Sequence, residues 1–166
     1  MERRAAIGTR ALARGVNKPQ PQHTAAAPSL KGRALRLLAG REHSRLELER
    51  KLAAHASESG ELERVLDELQ AKGFINEQRV LESVLYRRAE RFGLARIAQE
   101  LTSRGLSGQD VEQALQGLKS SEFERARSLW ERRFGQPAGD PRERARQIRF
   151  LIGRGFSAEV ARSITG

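Results

Sequence analysis

The chain's stock of side chains suited to catalysis or metal binding is small. It has three histidines, His23, His43 and His55, and three aspartates, Asp67, Asp110 and Asp140. His43 and Glu47 have the i, i+4 spacing of a metal pair, but Ser44 between them is placed to cap a helix, which takes His43 off the face carrying Glu47. Cysteine is absent, which excludes disulfides, thiolate zinc sites, iron–sulfur clusters and a cysteine nucleophile. No phosphate-cradling loop, dinucleotide fingerprint or nucleophile elbow occurs. Gly105-Leu106-Ser107-Gly108 has the GXXG form that clamps nucleic-acid backbone in some RNA-binding domains, but those domains need a sheet, and a helix end explains the same residues. With no cofactor pattern either, these residues describe a binder and not an enzyme.

Arginine is the side chain with spacing to spare. Arg142, Arg146 and Arg149 recur at i, i+4 and i+7 on one helical face, with Ala145, Ile148 and Ile152 as the apolar stripe beside it and Phe150 projecting toward the arginines. An aromatic ring among arginines suits contact with a nucleic-acid base or a protein partner. Arg87, Arg88 and Arg91, followed by Arg96, make a second cluster. Like charges at i, i+4 cost an isolated helix a few tenths of a kcal/mol each, so an anionic partner would give them a use. The competing reading is that both clusters are solvated faces and that arginine is the default cation of a chain with only five lysines. Trp130, with Phe123, Ala126 and Phe134 on one stripe, reads as core.

Charge supports the anionic partner. Lys and Arg number 31 against 21 Asp and Glu, for a net charge of +10 over 166 residues. The excess lies at the ends: residues 1 to 28 carry five cations against one acid, and residues 120 to 166 carry ten against six, while the middle is nearly balanced. No apolar run approaches the roughly 20 residues that span a bilayer, and the start lacks a signal peptide's apolar segment, so a soluble, unexported chain with no membrane partner is expected.

The elements that position these residues are helices. Residues 1 to 28 hold three of the five prolines and no apolar periodicity, and read as a disordered basic tail. From Leu30 onward the periodicity is helical: Leu30, Ala34, Leu37 and Leu38 form one stripe, and Leu62, Val65, Leu66 and Leu69 another. No alternating strand is present.

Stop signals recur. Lys72-Gly73-Phe74, Arg104-Gly105-Leu106 and Arg154-Gly155-Phe156 each place a cation in the last turn, a glycine past it, and an apolar residue to pack back on the helix. Asn76, Ser107 and Ser157 follow as N-caps. Ser44 with Glu47, Ser121 with Glu124, and Asp140-Pro141 with Glu143 form capping boxes. The result is an all-α chain of about nine short helices in three tandem three-helix repeats, at residues 29–76, 77–118 and 119–166. Short helices must bury their stripes within a triplet and against its neighbour, giving an elongated, curved stack.

Ser44-Arg45-Leu46-Glu47-Leu48-Glu49-Arg50-Lys51-Leu52 resembles the first-repeat signature of the RecX family, regulators of the RecA recombinase. Leu69, Gly73, Phe74, Ile75 and Asn76 resemble its helix–Gly–aromatic–aliphatic junction, with Asn76-Glu77 where two aspartates are usual. Arg87, Arg91, Gly93, Arg96, Ile97, Glu100 and Leu101 resemble its second repeat, with Val80-Leu81 replacing the usual Phe-Ala. Gly155-Phe156 and Val160 to Ile164 resemble its C-terminus.

The resemblance covers residues 29 to 166. It implies three three-helix repeats lying along the groove of a RecA–DNA filament, inhibition of recombinase and coprotease activity, a cytoplasmic location and a link to the SOS response. It carries no catalytic residues, so the arginines above are placed on matching helices from charge alone. A monomer is expected, with single- and double-stranded DNA as further partners through the basic surface. Two alternatives are a nonspecific DNA-binding helical protein without a recombinase partner, and a scaffold whose charge only keeps it soluble.

Overall fold

The computed structural model describes residues 28–166, so the expected tail lies, up to residue 27, outside the described residues. Among them there are nine α-helices and no strand. They are α1 (Leu30–Gly40), α2 (Arg45–Leu52) with a 3₁₀ turn at Ala53–His55, α3 (Glu61–Ala71), α4 (Glu77–Arg88), α5 (Leu94–Ser103), α6 (Gln109–Lys119), α7 (Glu122–Arg133), α8 (Pro141–Gly153) and α9 (Ala158–Thr165).

The helices associate in threes. Leu48, Leu52, Leu66 and Leu69 centre the first core, with Ala34 from α1. Val80, Val84, Ile97 and Leu101 centre the second. Ala126, Trp130, Leu151 and Ala161 centre the third. Each core is local to its triplet, and no hydrogen bond or ion pair among the described residues joins the first triplet to the third. The triplets are strung in chain order.

The glycine stops form as expected. Gly73, Gly105 and Gly155 have φ of 73°, 80° and 88°. The N–H of the residue after each bonds back five positions, Phe74 to Leu69, Leu106 to Leu101 and Phe156 to Leu151, at 2.9, 3.0 and 3.2 Å. Leu106 and Phe156 are buried, but Phe74 is 48% exposed, and Ile75 takes its place in the core. The first stop has no packed partner over Phe74, so the aliphatic residue one step on closes the motif instead.

Caps divide the same way. Ser44 and Glu47 form a complete capping box, and Asn76, Asp140 and Ser157 cap α4, α8 and α9. Ser121 does not cap α7: its hydroxyl donates backward to the Leu118 carbonyl. Ser107 does not cap α6 either, because the helix starts one residue later, from Gly108 at φ 96°. Glu143 does not reach back to close a box and pairs instead with Arg146 at 3.3 Å.

Candidate interface and the joints that position it

The middle helices meet end to end. The C-terminal turn of α5 abuts the N-terminus of α2, and the C-terminal turn of α8 abuts the N-terminus of α5. A helix C-terminus carries partial negative charge and an N-terminus partial positive charge, so both encounters are favourable in sign.

Between the first and second triplets the contact is ionic. The Glu47 carboxylate accepts from Arg41 at 2.8 Å and from Arg104 at 3.2 Å. Arg104 also reaches Glu100 at 2.8 Å, and Glu100 accepts from Arg88 at 2.8 Å. Burial raises the pKa of both carboxyls, but hydrogen bonds and arginine charge outweigh it and hold Glu47 and Glu100 below the usual carboxylate range. Ser44, capping α2, also donates its hydroxyl to the Arg104 carbonyl. His43 is buried beside this joint with Nδ1 3.0 Å from the Arg41 carbonyl, and burial pushes its pKa down. Arg79 adds a clamp, reaching Glu42 at 2.9 Å and the Gly73 carbonyl at 2.9 Å.

Between the second and third triplets the contact is through backbone. The Gly93 N–H donates to the Arg154 carbonyl at 2.9 Å and the Ala95 N–H to the Gly155 carbonyl at 3.2 Å. Between them, the Leu94 N–H donates to the buried Glu122 carboxylate at 3.2 Å. Helix α5 has no side-chain cap of its own; the third triplet supplies its cap. A Cβ on Gly93 would overlap the Gly155 carbonyl, so glycine is required by close approach of two backbones. Arg125 donates to the carbonyls of Ala89 at 2.7 Å, Phe92 at 2.8 Å and Leu118 at 3.1 Å, and burial lowers its pKa. Phe92 lies between two guanidinium groups, Arg88 and Arg154, each 5.6 Å from its centroid.

The second arginine cluster is divided by these joints. Arg88 turns inward to Glu100 and Phe92. Arg87 is exposed and donates to the Ser83 carbonyl at 3.0 Å. Because α4 ends at Arg88, Arg91 lies in the following turn, so the i, i+4 face expected for Arg87 and Arg91 does not form. Arg91 and Arg96 are exposed, and neither has a carboxylate partner among the described residues.

The first cluster stays together. Arg142, Arg146 and Arg149 surround one open concavity at the start of α8, beside Asp140 and Glu143. Asp140 is engaged in capping, accepting from the N–H groups of Arg142 and Glu143 at 2.8 and 3.0 Å. Phe150 packs away from this concavity, edge-on to Phe134 at 5.3 Å and beneath Arg154 at 5.2 Å. The apolar stripe of α8 is rotated from the expected one: Ile152 is 45% exposed, and Gln147 is buried, accepting from Trp130 Nε1 at 2.8 Å. Phe123, at 38% exposure, stands outside the core that Trp130 enters.

Sequence reasoning missed the joint residues Glu47, Glu100, Arg125 and Glu122 as contacts. Arg104 and Arg154, each preceding a stop glycine, were readable only as cations complementing a helix dipole. Their equivalent positions before glycine are the one signal that could have marked both joints. Among the described residues no group of histidines and acids is placed to hold a metal ion, and no helix is long and apolar enough to cross a membrane.

Residues 120–165 match the family model of the RecX third three-helix domain. The chain is 60% identical over 136 residues to the regulatory protein RecX of Leptothrix cholodnii, covering 82% of this chain and 87% of that protein. It is 49% identical over 139 residues to that of Ralstonia nicotianae, covering 83% and 87%. The fold is similar to a crystal structure of RecX from Lactobacillus salivarius, with a TM-score of 0.64 at 20% identity, covering 81% of this chain and 91% of that one. On these identities, each over more than four-fifths of its length, the chain belongs to the RecX family of regulatory proteins.

Proposed function

We propose that the chain binds the RecA–DNA filament and inhibits the recombinase and coprotease activities of that filament, as a non-enzymatic regulator in DNA repair and the SOS response. The site is the cytoplasmic compartment where such filaments assemble. The observation that carries this reading, beyond family membership, is the concavity of α8. Three arginines share it with one committed aspartate and one glutamate, which leaves positive charge directed outward at one end of the stack. Arg87, Arg91 and Arg96 extend that charge onto the middle triplet, while Arg88 and Phe150 support the joint and act on the surface through their neighbours. Charge of this kind steers and orients a polyanionic partner more than it supplies affinity.

The test is inhibition of strand exchange by a chain carrying Arg142→Glu and Arg149→Glu, with helix content checked by circular dichroism. Inhibition should weaken, more so at low salt where screening is least. Wild-type inhibition across a range of salt would remove α8 from the interface. Loss of bare-DNA binding with inhibition intact would assign these arginines to DNA alone.

A further inference from the structure

The first triplet holds a concavity that neither arginine cluster includes. It is an open cleft of about 400 Å³ lined by Arg33 and Arg36 of α1, Lys51 of α2, His55 of the 3₁₀ turn, and Leu37 and Leu52. Among the described residues no carboxylate lines it. Elsewhere in this triplet cations are neutralised in pairs: Lys31 and Lys72 with Glu68, Arg41 with Glu47, Arg45 with Asp67, and Arg64 with Glu58. Four cations of the triplet have no carboxylate partner among the described residues: Arg33, Arg36, Arg50 and Lys51. Arg50 is engaged at the joint, donating to the Ser103 carbonyl at 3.0 Å. The other three line the cleft. Arg33 uses only Nε, on the Pro28 carbonyl at 3.2 Å, which leaves the outer fork of its guanidinium for a ligand.

We propose that this cleft is a phosphate site that takes the backbone of a single-stranded nucleic acid. Several converging donors suit a phosphate, whose oxygens accept from more than one cation at once, better than an isolated carboxylate. Leu37 and the buried Leu52 give the cleft an apolar floor against which a sugar or base can lie. The residues before Pro28 carry five cations and one acid, the same sign as the cleft, so their charge does not complement it. The site requires no recombinase and is separate from the α8 concavity, so it stands or falls apart from the filament reading.

The test is fluorescence anisotropy of a labelled 20-nucleotide oligothymidylate titrated with the full chain between 50 and 200 mM salt, roughly the range over which phosphate contacts are read. Arg36→Glu with Lys51→Glu should weaken binding about tenfold or more at the low end. It should also flatten the log–log salt slope by about 1.4, from two contacts of about 0.7 each. Arg64→Glu with Lys119→Glu changes net charge equally away from the cleft and should leave most of the slope intact. Arg36→Gln with Lys51→Gln serves if the reversed variant loses helix, and should lose the same slope. Equal losses in the cleft and control variants, an unchanged slope in the cleft variants, or no wild-type binding would each overturn the site. Competition by a deca-glutamate peptide as strong as that by unlabelled oligothymidylate would also overturn it, by making the ligand an acidic protein segment.

Discussion

The two joints solve the same problem with different chemistry. At each, a middle helix presents its N-terminal N–H groups to the last turn of the next triplet's middle helix. Helix α2 satisfies itself first, through the Ser44–Glu47 capping box, and then meets its neighbour through arginine–carboxylate pairs. Helix α5 begins at a glycine with nothing to cap it, and its first N–H groups bond to the Arg154 and Gly155 carbonyls and to Glu122. The first joint is made of side chains that solvent and salt can compete for. The second is made of backbone groups that cost about 1–3 kcal/mol each if buried without a partner. The difference predicts that the second and third triplets unfold together, while the first responds to salt and acid.

Gly93→Ala should have the largest effect. Its Cβ meets backbone, which cannot swing aside, so the third triplet must move; a loss of about 3 kcal/mol or more by chemical denaturation is expected. Trp130, the chain's single tryptophan, reports the third triplet directly. A stable variant with wild-type fluorescence would break the comparison at its stronger side.

Arg125→Ala should follow, at about 2 kcal/mol, by removing the side-chain donor to the carbonyls of Ala89 and Phe92 across the joint. Arg125→Lys should recover only part of this, because an ammonium cannot fork across three carbonyls. Full rescue by lysine would show that charge, and not the fork, holds the joint.

The stop glycines sharpen the contrast between a crowded and an open turn. A Cβ on Gly105 falls 2.7 Å from Leu46 Cδ2, whereas one on Gly73 meets nothing within 4 Å. Both have positive φ, so Gly73→Ala should cost about 1 kcal/mol and Gly105→Ala somewhat more, with the excess removed by a smaller residue at Leu46. Equal costs would place Leu46 away from the joint.

Smallest in buffer, but most diagnostic, is the ionic joint. Glu47→Gln should cost about 1 kcal/mol at low salt and less at 1 M. In the wild-type chain Glu47 and Glu100 titrate below their unfolded values. Their contribution is therefore complete above the ordinary carboxylate range and is lost as pH falls through the lowered folded values. Below about pH 4 the first triplet should loosen before the other two, seen as amide exchange rising in α2 while α5 and α8 stay protected. Simultaneous exchange in all three would show that the joints do not differ.

Much of this molecule is legible in its residues. Helix periodicity, glycine stops and the caps at Ser44, Asn76, Asp140 and Ser157 are local patterns, settled by neighbours within about five positions, and they reveal nine helices in threes. What failed was a pattern with a competing partner that spacing alone does not reveal. Ser121 had a capping sequence, but the Leu118 carbonyl took its hydroxyl; Ile152 had the right spacing for the core, but Gln147 entered instead to meet Trp130. The candidate interface was half visible for the same reason. Arg142, Arg146 and Arg149 lie on one continuous helix, so spacing sufficed to group them. Arg87, Arg88 and Arg91 straddle a helix end, and Glu100 and Phe92 decided which of them faces inward.

The helices, where they stop, and the surplus of positive charge follow from the residues alone, because they depend on backbone propensity and composition. Which cations are neutralised, which glycine touches another backbone, and how α5 is capped are settled by packing between elements. The contacts that cap α5 join residues 28 to 61 positions apart, as in Glu122 with Leu94 and Gly93 with Arg154, and no periodicity within a helix carries information over that distance.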